Sequence, residues 1–459
     1  MDAANSKFSD GSQRGHGRRA LVLVAASLGF AVVQLDVSVV NVAIKPIGTA
    51  LGADVTALQW VVDAYTIAFA ALILTAGTLG DRYGAKRLFL GGFALFIVAS
   101  VGCGLAASTS ELVVARTVQG TGAAVLTACS LSLLNHTYAE PGQRARAVGL
   151  WAAGASMALV AGPLVGGVLI ATLGWRSIFF INVPIGVCGI WLTARYAAAS
   201  PRSRGRGIDP WGQVSSVVAL TSVAVATIEA GSRGADDPIV VISLAAAVIA
   251  GALFVVIEAR GVEPMLPLRM FVSATFGIPI AIGLLVNVAF YGLIFVLSLF
   301  FQNEQHLSPL RTGLAFVPMM AAIMAANLIA KRFTDAFGAR RALVSGAVFM
   351  AAGCLAMLGS TGQTSYAVLV VPLVLAGFGL GLVVPVMTSA LLSGVDRSRS
   401  GMASGTLNAA RQTGSVLGVA LFGSLTARAG LVNGLHLALL IAVGVVAAVA
   451  ALGSRIPAG

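Results

Sequence analysis

Four ionisable side chains lie inside long apolar segments of this sequence: Asp36, Asp63, Arg116 and Arg411. A charged side chain costs on the order of 2.5–3.5 kcal/mol to insert at mid-membrane, so such groups are candidates for a function. A carboxylate beside a guanidinium stays charged, whereas the same carboxylate moved into apolar surroundings takes up a proton. The pattern predicts groups that bind and release protons. The alternatives are a static ion pair and, for Asp63, a hydrated residue near a helix end.

The segments that hold these groups belong to a chain of 459 residues, 58% hydrophobic and only 10% charged. A soluble domain carries roughly 25% charged residues. Crossing a bilayer takes about 20 apolar residues. Fourteen runs reach that length, at approximately residues 20–44, 57–80, 88–108, 111–135, 147–173, 177–196, 211–229, 238–258, 273–300, 310–330, 342–360, 366–392, 401–427 and 431–452. The sequence therefore predicts an all-α polytopic membrane protein.

Lysine and arginine indicate which side of the membrane each loop faces, because they accumulate on the cytoplasmic side. With both chain ends inside, 22 of the 29 Lys and Arg residues fall on the inner side. The outer loops then hold five, namely Lys45, Arg176, Arg233, Arg311 and Arg428. We therefore predict a multi-pass protein with cytoplasmic termini. The net charge of +12 follows from this topology, so we predict no nucleic-acid partner.

Helix geometry puts three of the ionisable groups at similar depths. At 1.5 Å per residue, Asp36 lies about 12 Å below the outer end of its span. Asp63 and Arg116 lie about 8–9 Å below the outer ends of theirs. We therefore predict proton coupling at Asp36, Arg116 and Asp63.

An internal repeat divides the chain into halves. Residues 80–92 read GDRYGAKRLFLGG and residues 334–346 read TDAFGARRALVSG, with Asp, Gly, Ala and a basic pair shared at an offset of 254 positions. Repeated halves are typical of secondary transporters. The predicted organisation is a cytoplasmic tail over 1–19, a six-helix bundle over 20–196, a linker with two extra membrane helices over 197–272, a second six-helix bundle over 273–452 and a cytoplasmic tail over 453–459.

A stripe of small residues marks the fifth span. Its members, spaced four apart and therefore on one helix face, are Gly154, Ala158, Gly162 and Gly166. Such stripes let another membrane helix approach closely. Pro163 removes a backbone N–H and crowds the carbonyl of Leu159, which predicts a kink. A smooth, kinked surface suits two bundles that rock against each other. The alternative is tight packing with no moving role.

The second half has no matching acids, since Val370 stands at the position that corresponds to Arg116. Spans 9, 10 and 13 offer aromatic, Met and amide side chains instead. Apolar walls with few polar anchors suit bulky amphipathic ligands, although most such residues also fit ordinary helix packing. The predicted cavity residues, two of them from the first half, are Asn41, Gln119, Asn287, Tyr291, Asn327, Asn408, Arg411 and Gln412.

Other kinds of chemistry find little support in the sequence. The four cysteines lie in apolar spans and the four histidines are scattered, so we predict no disulfide framework and no metal site. No lysine follows a glycine, so a phosphate-binding loop is not predicted. No loop exceeds about fifteen residues or holds a nucleophile–base pair, which argues against an enzyme. We predict no cofactor and a proton gradient as the energy source.

Several segments, taken in order, resemble motifs of the fourteen-span drug:proton antiporters of the major facilitator superfamily. QLDVSVVNVA (residues 34–43) is similar to the span-1 motif, GTLGDRYGAKR (77–87) to the loop after span 2, and RTVQGTGAA (116–124) to the span-4 motif. GPLVGG (162–167) resembles the span-5 antiporter motif. Residues 175–186, 308–315 and 401–414 are also similar. The resemblance covers essentially the whole chain and is nearest to bacterial exporters of the methylenomycin-resistance type.

The resemblance implies roles for particular residues. Asp36 and Arg116 would couple transport to protons. A conformational gate would consist of Gly77, Asp81, Arg82, Gly84 and Arg87, with Asp81 facing the positive N-terminus of span 13. The antiporter motif would consist of Gly154, Gly162, Pro163, Gly166 and Gly167. Its small face would pack across the bundle interface on span 10, against Ala322, Ala326 and Ala330.

The resemblance also implies a function, which is proton-coupled export of drugs or antibiotics across the bacterial plasma membrane by alternating access. The partners would be a small amphipathic substrate, protons and the lipid bilayer, and the protein would act as a monomer. Some antiseptic exporters of the family carry an acid in span 13. This sequence has Arg411 there, which argues against divalent organic cations. The alternative is a proton-coupled transporter of an endogenous metabolite, including uptake.

Overall fold

The computed structural model describes residues 2–138, 140–199, 209–261, 266, 268–395 and 400–456. Within these ranges the regular elements are helices and no strand occurs, which confirms the predicted all-α class. The helices are α1 (Asp2–Leu51), α2 (Val55–Tyr83), α3 (Ala85–Leu105), α4 (Thr109–Thr137), α5 (Pro141–Leu173), α6 (Ser177–Phe180), α7 (Asn182–Tyr196), α8 (Pro210–Arg233), α9 (Pro238–Arg260), α10 (Ala274–Asn303), α11 (Pro309–Phe337), α12 (Ala339–Ala356), α13 (Tyr366–Ser393), α14 (Ser400–Ala429) and α15 (Leu431–Gly453). A 3-10 turn, Leu268–Val272, precedes α10.

Thirteen segments of the described chain are long and apolar enough to cross a membrane. The short helix α6 and helix α7 together form one of them, Ser177–Tyr196. Helix α14 is not among the thirteen because Ser, Thr, Asn, Gln and Arg recur along it. It has 30 residues, however, as many as α10. Each of the fourteen predicted spans therefore corresponds to a helix, and the chain is a multi-pass membrane protein.

The first helix differs from its prediction. Helix α1 begins at Asp2, whereas the first span was predicted to begin at residue 20 after a separate tail. The predicted span began at residue 20 because residues 2–19 are polar. These residues contain no proline, and the helix includes them. The uninterrupted apolar run follows Arg19, as predicted.

Six spans pack together in each half of the chain, in the same arrangement. In the first half α1 packs on α5 and α7, and α4 packs on α2 and α3. In the second half α10 packs on α14 and α15, and α13 packs on α11 and α12. Each span of the first half thus corresponds to the span eight places later, which is the offset of the sequence repeat.

The repeated turns share their backbone geometry. Gly84 ends α2 with a φ of 97°, and Gly338 ends α11 with a φ of 82°. The Gly84 N–H donates to the carbonyl of Gly80, and the Gly338 N–H donates to that of Thr334. Only glycine adopts such φ values without steric cost. The glycine shared by the two repeats is therefore required by the turn that they share.

The inserted helices α8 and α9 pack on each other, and α8 also packs on α2 and α14. Gln213 of α8 donates to the carbonyl of Ala71 on α2 at 2.8 Å and accepts a hydrogen bond from Thr75. The insert therefore lies beside the seam where α2 of the first half meets α14 of the second. In the segments that flank these two helices, residues 200–208, 262–265 and 267 lie outside the described residues.

Polar contacts join the two halves on the far side, meaning the side where α1 and α10 end. Gln302 of α10 donates to the carbonyl of Val42 on α1 at 3.1 Å. Ser298 of α10 donates to the carbonyl of Asn41, and Lys45 of α1 donates to the carbonyl of Gln302. The halves are thus held together at the far ends of α1 and α10.

A second far-side contact joins α2 and α14. Gln59, near the start of α2, donates to the carbonyls of Val419 at 3.1 Å and Ala420 at 2.9 Å. Its side chain is fully buried. Because both seams are bonded at this end, the structure is closed on the far side.

Candidate functional site

The centre of the first half holds a buried ion pair. Asp36 of α1 and Arg116 of α4 form a salt bridge through Oδ2 and Nη1, with side chains 0% and 1% exposed. Arg116 Nε also donates to the carbonyl of Val61 on α2 at 3.1 Å. The structure therefore brings together the two groups that the sequence placed at one depth. Their role in proton coupling stays a prediction.

Gln119 binds both members of the pair. It lies three residues after Arg116, so both side chains project from the same face of α4. Its Oε1 accepts from Arg116 Nη1 at 2.7 Å, and its Nε2 donates to Asp36 Oδ1 at 2.8 Å. Nε2 also donates to Ser100 Oγ of α3 at 2.8 Å. The structure thus places Gln119, predicted as a cavity residue, inside the ion-pair network.

Asn182 is a member of the site that the sequence interpretation missed. It is the first residue of α7, and its Nδ2 donates to Asp36 Oδ1 at 2.9 Å and to Ser100 Oγ at 3.2 Å. The segment 175–186 had been singled out only as a motif. The available signal was a single amide between two apolar runs, which is costly in a membrane unless it is bonded.

Aromatic rings enclose the guanidinium of Arg116. Its Cζ lies 4.2 Å from the ring centre of Tyr65 and 5.9 Å from that of Phe179. Such contacts stabilise a cation that has lost its water. Asp36 accepts from three side-chain donors, and an ionised carboxylate is the form that accepts at both oxygens. Both oxygens of Asp36 are therefore held by donors from α4 and α7.

Asp63 lies apart from this network. The Thr66 hydroxyl is 3.4 Å from its Oδ1, and Oδ2 has no hydrogen-bond partner in the described part of the chain. Asp63 stands one turn from Gln59 and one turn from Ile67, and both pack on α14. Helix α2 therefore presents Asp63 to the seam with α14 and not to Asp36. The role of Asp63 in proton coupling stays a prediction.

The predicted gate lies where α2 ends and α3 begins. Gly84 forms the turn, while Asp81, Arg82 and Arg87 are exposed, and a Cβ at Gly77 would meet nothing within 4 Å. The predicted position of Asp81 at the start of span 13, near Ser400, also stays a prediction. The role of these residues stays a prediction.

The small-residue stripe of α5 packs on α1, so its predicted packing on span 10 is wrong. A Cβ at Gly166 would lie 3.2 Å from the carbonyl oxygen of Val39, and a Cβ at Gly162 would overlap the Ser38 side chain. At Gly154 the nearest atom, Cβ of Ser27, would be 3.8 Å away. The stripe is therefore an internal contact of the first half.

Helix α11 packs on a neighbouring face of α5. This face includes Gly167, which follows Gly166 of the stripe and lies about 100° further round the helix. A Cβ at Gly167 would lie 2.9 Å from Leu310 Cα, and a Cβ at Gly313 of α11 would overlap the Pro163 carbonyl. Ala326, predicted to meet α5, packs toward Gly381 of α13 instead. Pro163 and Gly167 are thus the antiporter-motif residues that meet the second half.

The predicted cavity residues of the second half lie mainly on α10 and α14. Asn287 and Tyr291 of α10 are buried one turn apart, and Asn287 Nδ2 donates to the carbonyl of Gly283 at 2.7 Å. On α14, Asn408 Nδ2 donates to the carbonyl of Ser404 at 3.1 Å, and Gln412 is buried.

Two predicted cavity residues stand elsewhere. Asn41 is buried in the far-side contact, where its Nδ2 donates to the carbonyl of Val37 at 2.9 Å. Asn327 is half-buried on α11. Among the described residues no group of three His, Cys, Asp or Glu side chains comes together as metal ligands would.

These features define a class. Two repeated six-span halves, a charge pair buried in one of them and close helix seams between them are the architecture of a secondary transporter. The chain matches the family model described as Major Facilitator Superfamily over residues 26–419 and 280–457. This protein therefore belongs to the Major Facilitator Superfamily and is a transporter.

Curated relatives cover most of the chain. It is 37% identical to the Methylenomycin A resistance protein of Streptomyces coelicolor, over 87% of this chain and 84% of the relative. It is 36% identical to the Multidrug resistance protein Stp of Mycobacterium tuberculosis, over 89% of this chain and 76% of the relative. It is also 36% identical to the Methylenomycin A resistance protein of Bacillus subtilis, over 88% of this chain and 86% of the relative.

Solved structures show the same fold. An auto-inhibited POT family peptide transporter superposes with a TM-score of 0.69 at 15% identity, covering 96% of this chain and 98% of that one. A bacterial homologue of the human lysosomal transporter Spinster, in an inward-facing and unoccupied conformation, superposes with a TM-score of 0.65 at 16% identity, covering 96% and 97%.

Proposed function

We propose that this protein exports small amphipathic, drug-like compounds across the bacterial plasma membrane in exchange for protons, by alternating access. It works as a monomer without a cofactor, and both termini lie in the cytoplasm. The relatives named as antibiotic or multidrug resistance proteins support the export of such compounds. The distribution of Lys and Arg supports the orientation.

The salt bridge between Asp36 and Arg116 is the observation that carries the proton coupling. While Asp36 is ionised, its carboxylate ties α4 and α7 to α1. A proton on Asp36 removes that charge and leaves Arg116 without its counter-ion. Breaking a buried pair in this way costs about 3–5 kcal/mol. Protonation therefore favours a conformation in which these helices are arranged differently.

The far-side contacts give the order of events. In the present conformation α1 and α10 are bonded at their far ends through Ser298 and Gln302, so the substrate enters from the cytoplasmic side. The halves then rock, the far side opens, and a proton from outside reaches Asp36 while the substrate leaves. Closure of the far side carries the proton inward, and its release restores the ion pair.

The proton gradient supplies enough energy for this cycle. One proton that moves down about 150 mV releases roughly 3.5 kcal/mol. At about 1.4 kcal/mol per tenfold change in concentration, this supports a substrate gradient of about 300-fold.

Inside-out membrane vesicles with a pH-sensitive dye test the proposal. A pH gradient is imposed, and lipophilic antibiotics and dyes are added to vesicles with the wild type, Asp36→Asn or Asp236→Asn. The last variant removes an exposed carboxylate from the turn between α8 and α9. A compound that collapses the gradient with the wild type and Asp236→Asn, but not with Asp36→Asn, supports the proposal.

Two results would contradict it. Equal responses of the wild type and Asp36→Asn would place coupling elsewhere, with Asp63 the next group to replace. If no compound collapses the gradient in vesicles, while a pH gradient drives uptake of a compound into whole cells, the protein works as an importer.

A further inference from the structure

Arg411 of α14 has no counter-ion among the residues that the structure describes. No carboxylate of the described residues forms a salt bridge with it, and its buried Nε has no hydrogen-bond partner. Arg116, the other arginine at membrane depth, is by contrast paired with Asp36 and bonded at Nε. An uncompensated charge inside a membrane protein is costly, so a second group is needed to make this arrangement favourable.

The contacts of α14 show where Arg411 points. Gly414 and Gly418 pack on α10, while the carbonyls of Val419 and Ala420 accept from Gln59 on α2. The face between these two sides looks toward the space between the halves. Positions on that face, at helical spacing, are Ser404, Asn408, Arg411 and Ser415. Arg411 is half-buried, and a Cβ at Gly283 of α10 would lie 3.4 Å from its Cγ, so its side chain runs along α10.

Further polar atoms near Arg411 have no partner in the described part of the chain. Gln412 and Ser415 are buried, and Gln412 Oε1 and Ser415 Oγ make no hydrogen bond with any described residue. Tyr291 of α10 is buried and close enough to Arg411 for electrostatic interaction. The ring of Phe290 lies 5.0 Å from that of Tyr291 and adds an apolar wall. One guanidinium, two hydroxyls and an aromatic ring thus lie in the region where α10 and α14 meet.

We propose that Arg411 binds a carboxylate group of the transported compound, so that the substrates include amphipathic organic acids. This rests on the proposed export function. A guanidinium presents parallel N–H donors that match the two oxygens of a carboxylate. The hydroxyl of Ser415 adds a donor, and the ring of Phe290 contacts the apolar part of the compound.

The anion site lies next to the proton site. Tyr291 is within electrostatic reach of Tyr65, whose ring covers Arg116 at 4.2 Å. Electrostatic interactions therefore link Arg411 to Tyr291, Tyr291 to Tyr65, and Tyr65 to Arg116. Exchange of an anion leaving the cell for a proton entering it moves net positive charge inward. Export of such compounds is accordingly driven by the membrane potential as well as by the pH gradient.

Equilibrium binding to the purified full-length protein in nanodiscs, without a gradient, tests the site. The probes are a radiolabelled aromatic carboxylic acid of amphipathic character, its methyl ester and the corresponding primary amine. Arg411→Gln should weaken binding of the acid about 10- to 100-fold and leave the ester nearly unchanged. Arg411→Lys should retain part of the affinity, because a lysine keeps the charge but not the paired donors.

Arg428→Gln is the matched control, since it removes an exposed arginine from the far end of the same helix. It should bind all three probes as the wild type does. Ester binding by Arg411→Gln shows that this variant is folded. Equal affinity of the wild type for acid and ester overturns the proposal without any variant, and so does an unchanged affinity of Arg411→Gln for the acid.

The two proposals fail in different ways. In one outcome, neutral or cationic compounds cause proton release equally with the wild type and Arg411→Gln, and the acid causes none. The protein is then an exporter, and the proposed anion site is wrong. If the acid binds through Arg411 but no compound moves protons, the anion site stands and the proposed antiport is wrong.

Discussion

The hydroxyl of Ser38 on α1 donates to the carbonyl of Leu159 on α5 at 2.8 Å. That carbonyl lacks its usual helical donor, because Pro163 stands four residues later and has no backbone N–H. A buried carbonyl without a donor costs about 1–3 kcal/mol. The proline of the antiporter motif is therefore compatible with a membrane helix because the neighbouring helix supplies the missing donor.

Ser38→Ala and Pro163→Ala should consequently not be additive. Ser38→Ala alone should destabilise the protein by about 1 kcal/mol, since it leaves the Leu159 carbonyl unpaired. In a Pro163→Ala background, the N–H of the new alanine can bond that carbonyl, and loss of the hydroxyl should cost little. Thermal unfolding of the four proteins in one detergent measures the coupling, expected at about 0.5–1.5 kcal/mol. Ser156→Ala, whose hydroxyl bonds within α5 to Ala152, should show no coupling with Pro163→Ala.

Two glycines of the same stripe should respond differently to alanine. In Gly162→Ala the added methyl overlaps Ser38, which should cost about 1–3 kcal/mol and reduce transport. Gly154→Ala should be neutral or stabilising by up to about 1 kcal/mol, because its methyl meets only an ordinary contact at 3.8 Å and alanine favours helix. Unfolding temperature and initial transport rate measure both effects. Gly162→Ala should cost less in a Ser38→Gly background than in the wild type, because the overlap is then absent. Equal effects of the two alanines would contradict this packing.

The small-residue stripe of α5 was a partly successful prediction. Four small residues on one face predict that a helix packs closely there, and one does. The pattern does not say which helix, since α1 and α11 both offer backbone or small side chains to α5. A shift of one position, from Gly166 to Gly167, changes the partner from Val39 of α1 to Leu310 of α11. The helices themselves were predictable because hydropathy and length alone decide what can span a bilayer.

The candidate site was predictable in part for a similar reason. Charged residues at membrane depth are rare, so Asp36 and Arg116 stood out. Asn182 and Ser100 did not, because uncharged polar side chains are common in membrane helices and their partners come from distant parts of the chain. The depth of Asp63 was informative but its direction was not, since a depth leaves the orientation around the helix undetermined.

Asn182→Leu should impair proton-driven transport while leaving the fold intact. The change removes one of the donors to Asp36 and leaves Gln119 and Arg116. A hydrogen bond to a charged group is worth about 1.5–3 kcal/mol, so the rate at saturating substrate should fall about 10-fold or more. Proton-driven transport in proteoliposomes is compared with substrate exchange in the absence of a gradient, which should change less. Asn433→Leu, an exposed asparagine on α15, is the matched control, and equal rates for both variants would show that Asn182 does not act on Asp36.

Gln302→Leu should shift the conformational equilibrium toward opening of the far side. The change removes the bond from Nε2 to the Val42 carbonyl that joins the two halves. Its loss is worth about 1 kcal/mol, or about fivefold in the ratio of closed to open far side. Spin labels at Ala50→Cys and Arg428→Cys, with exposed Cys188 replaced, report that ratio as a distance distribution. Gln305→Leu removes a bond of the same kind to Thr364 inside the second half, so it should leave the distribution unchanged. If both variants shift it equally, the Gln302 bond does not hold the far side closed.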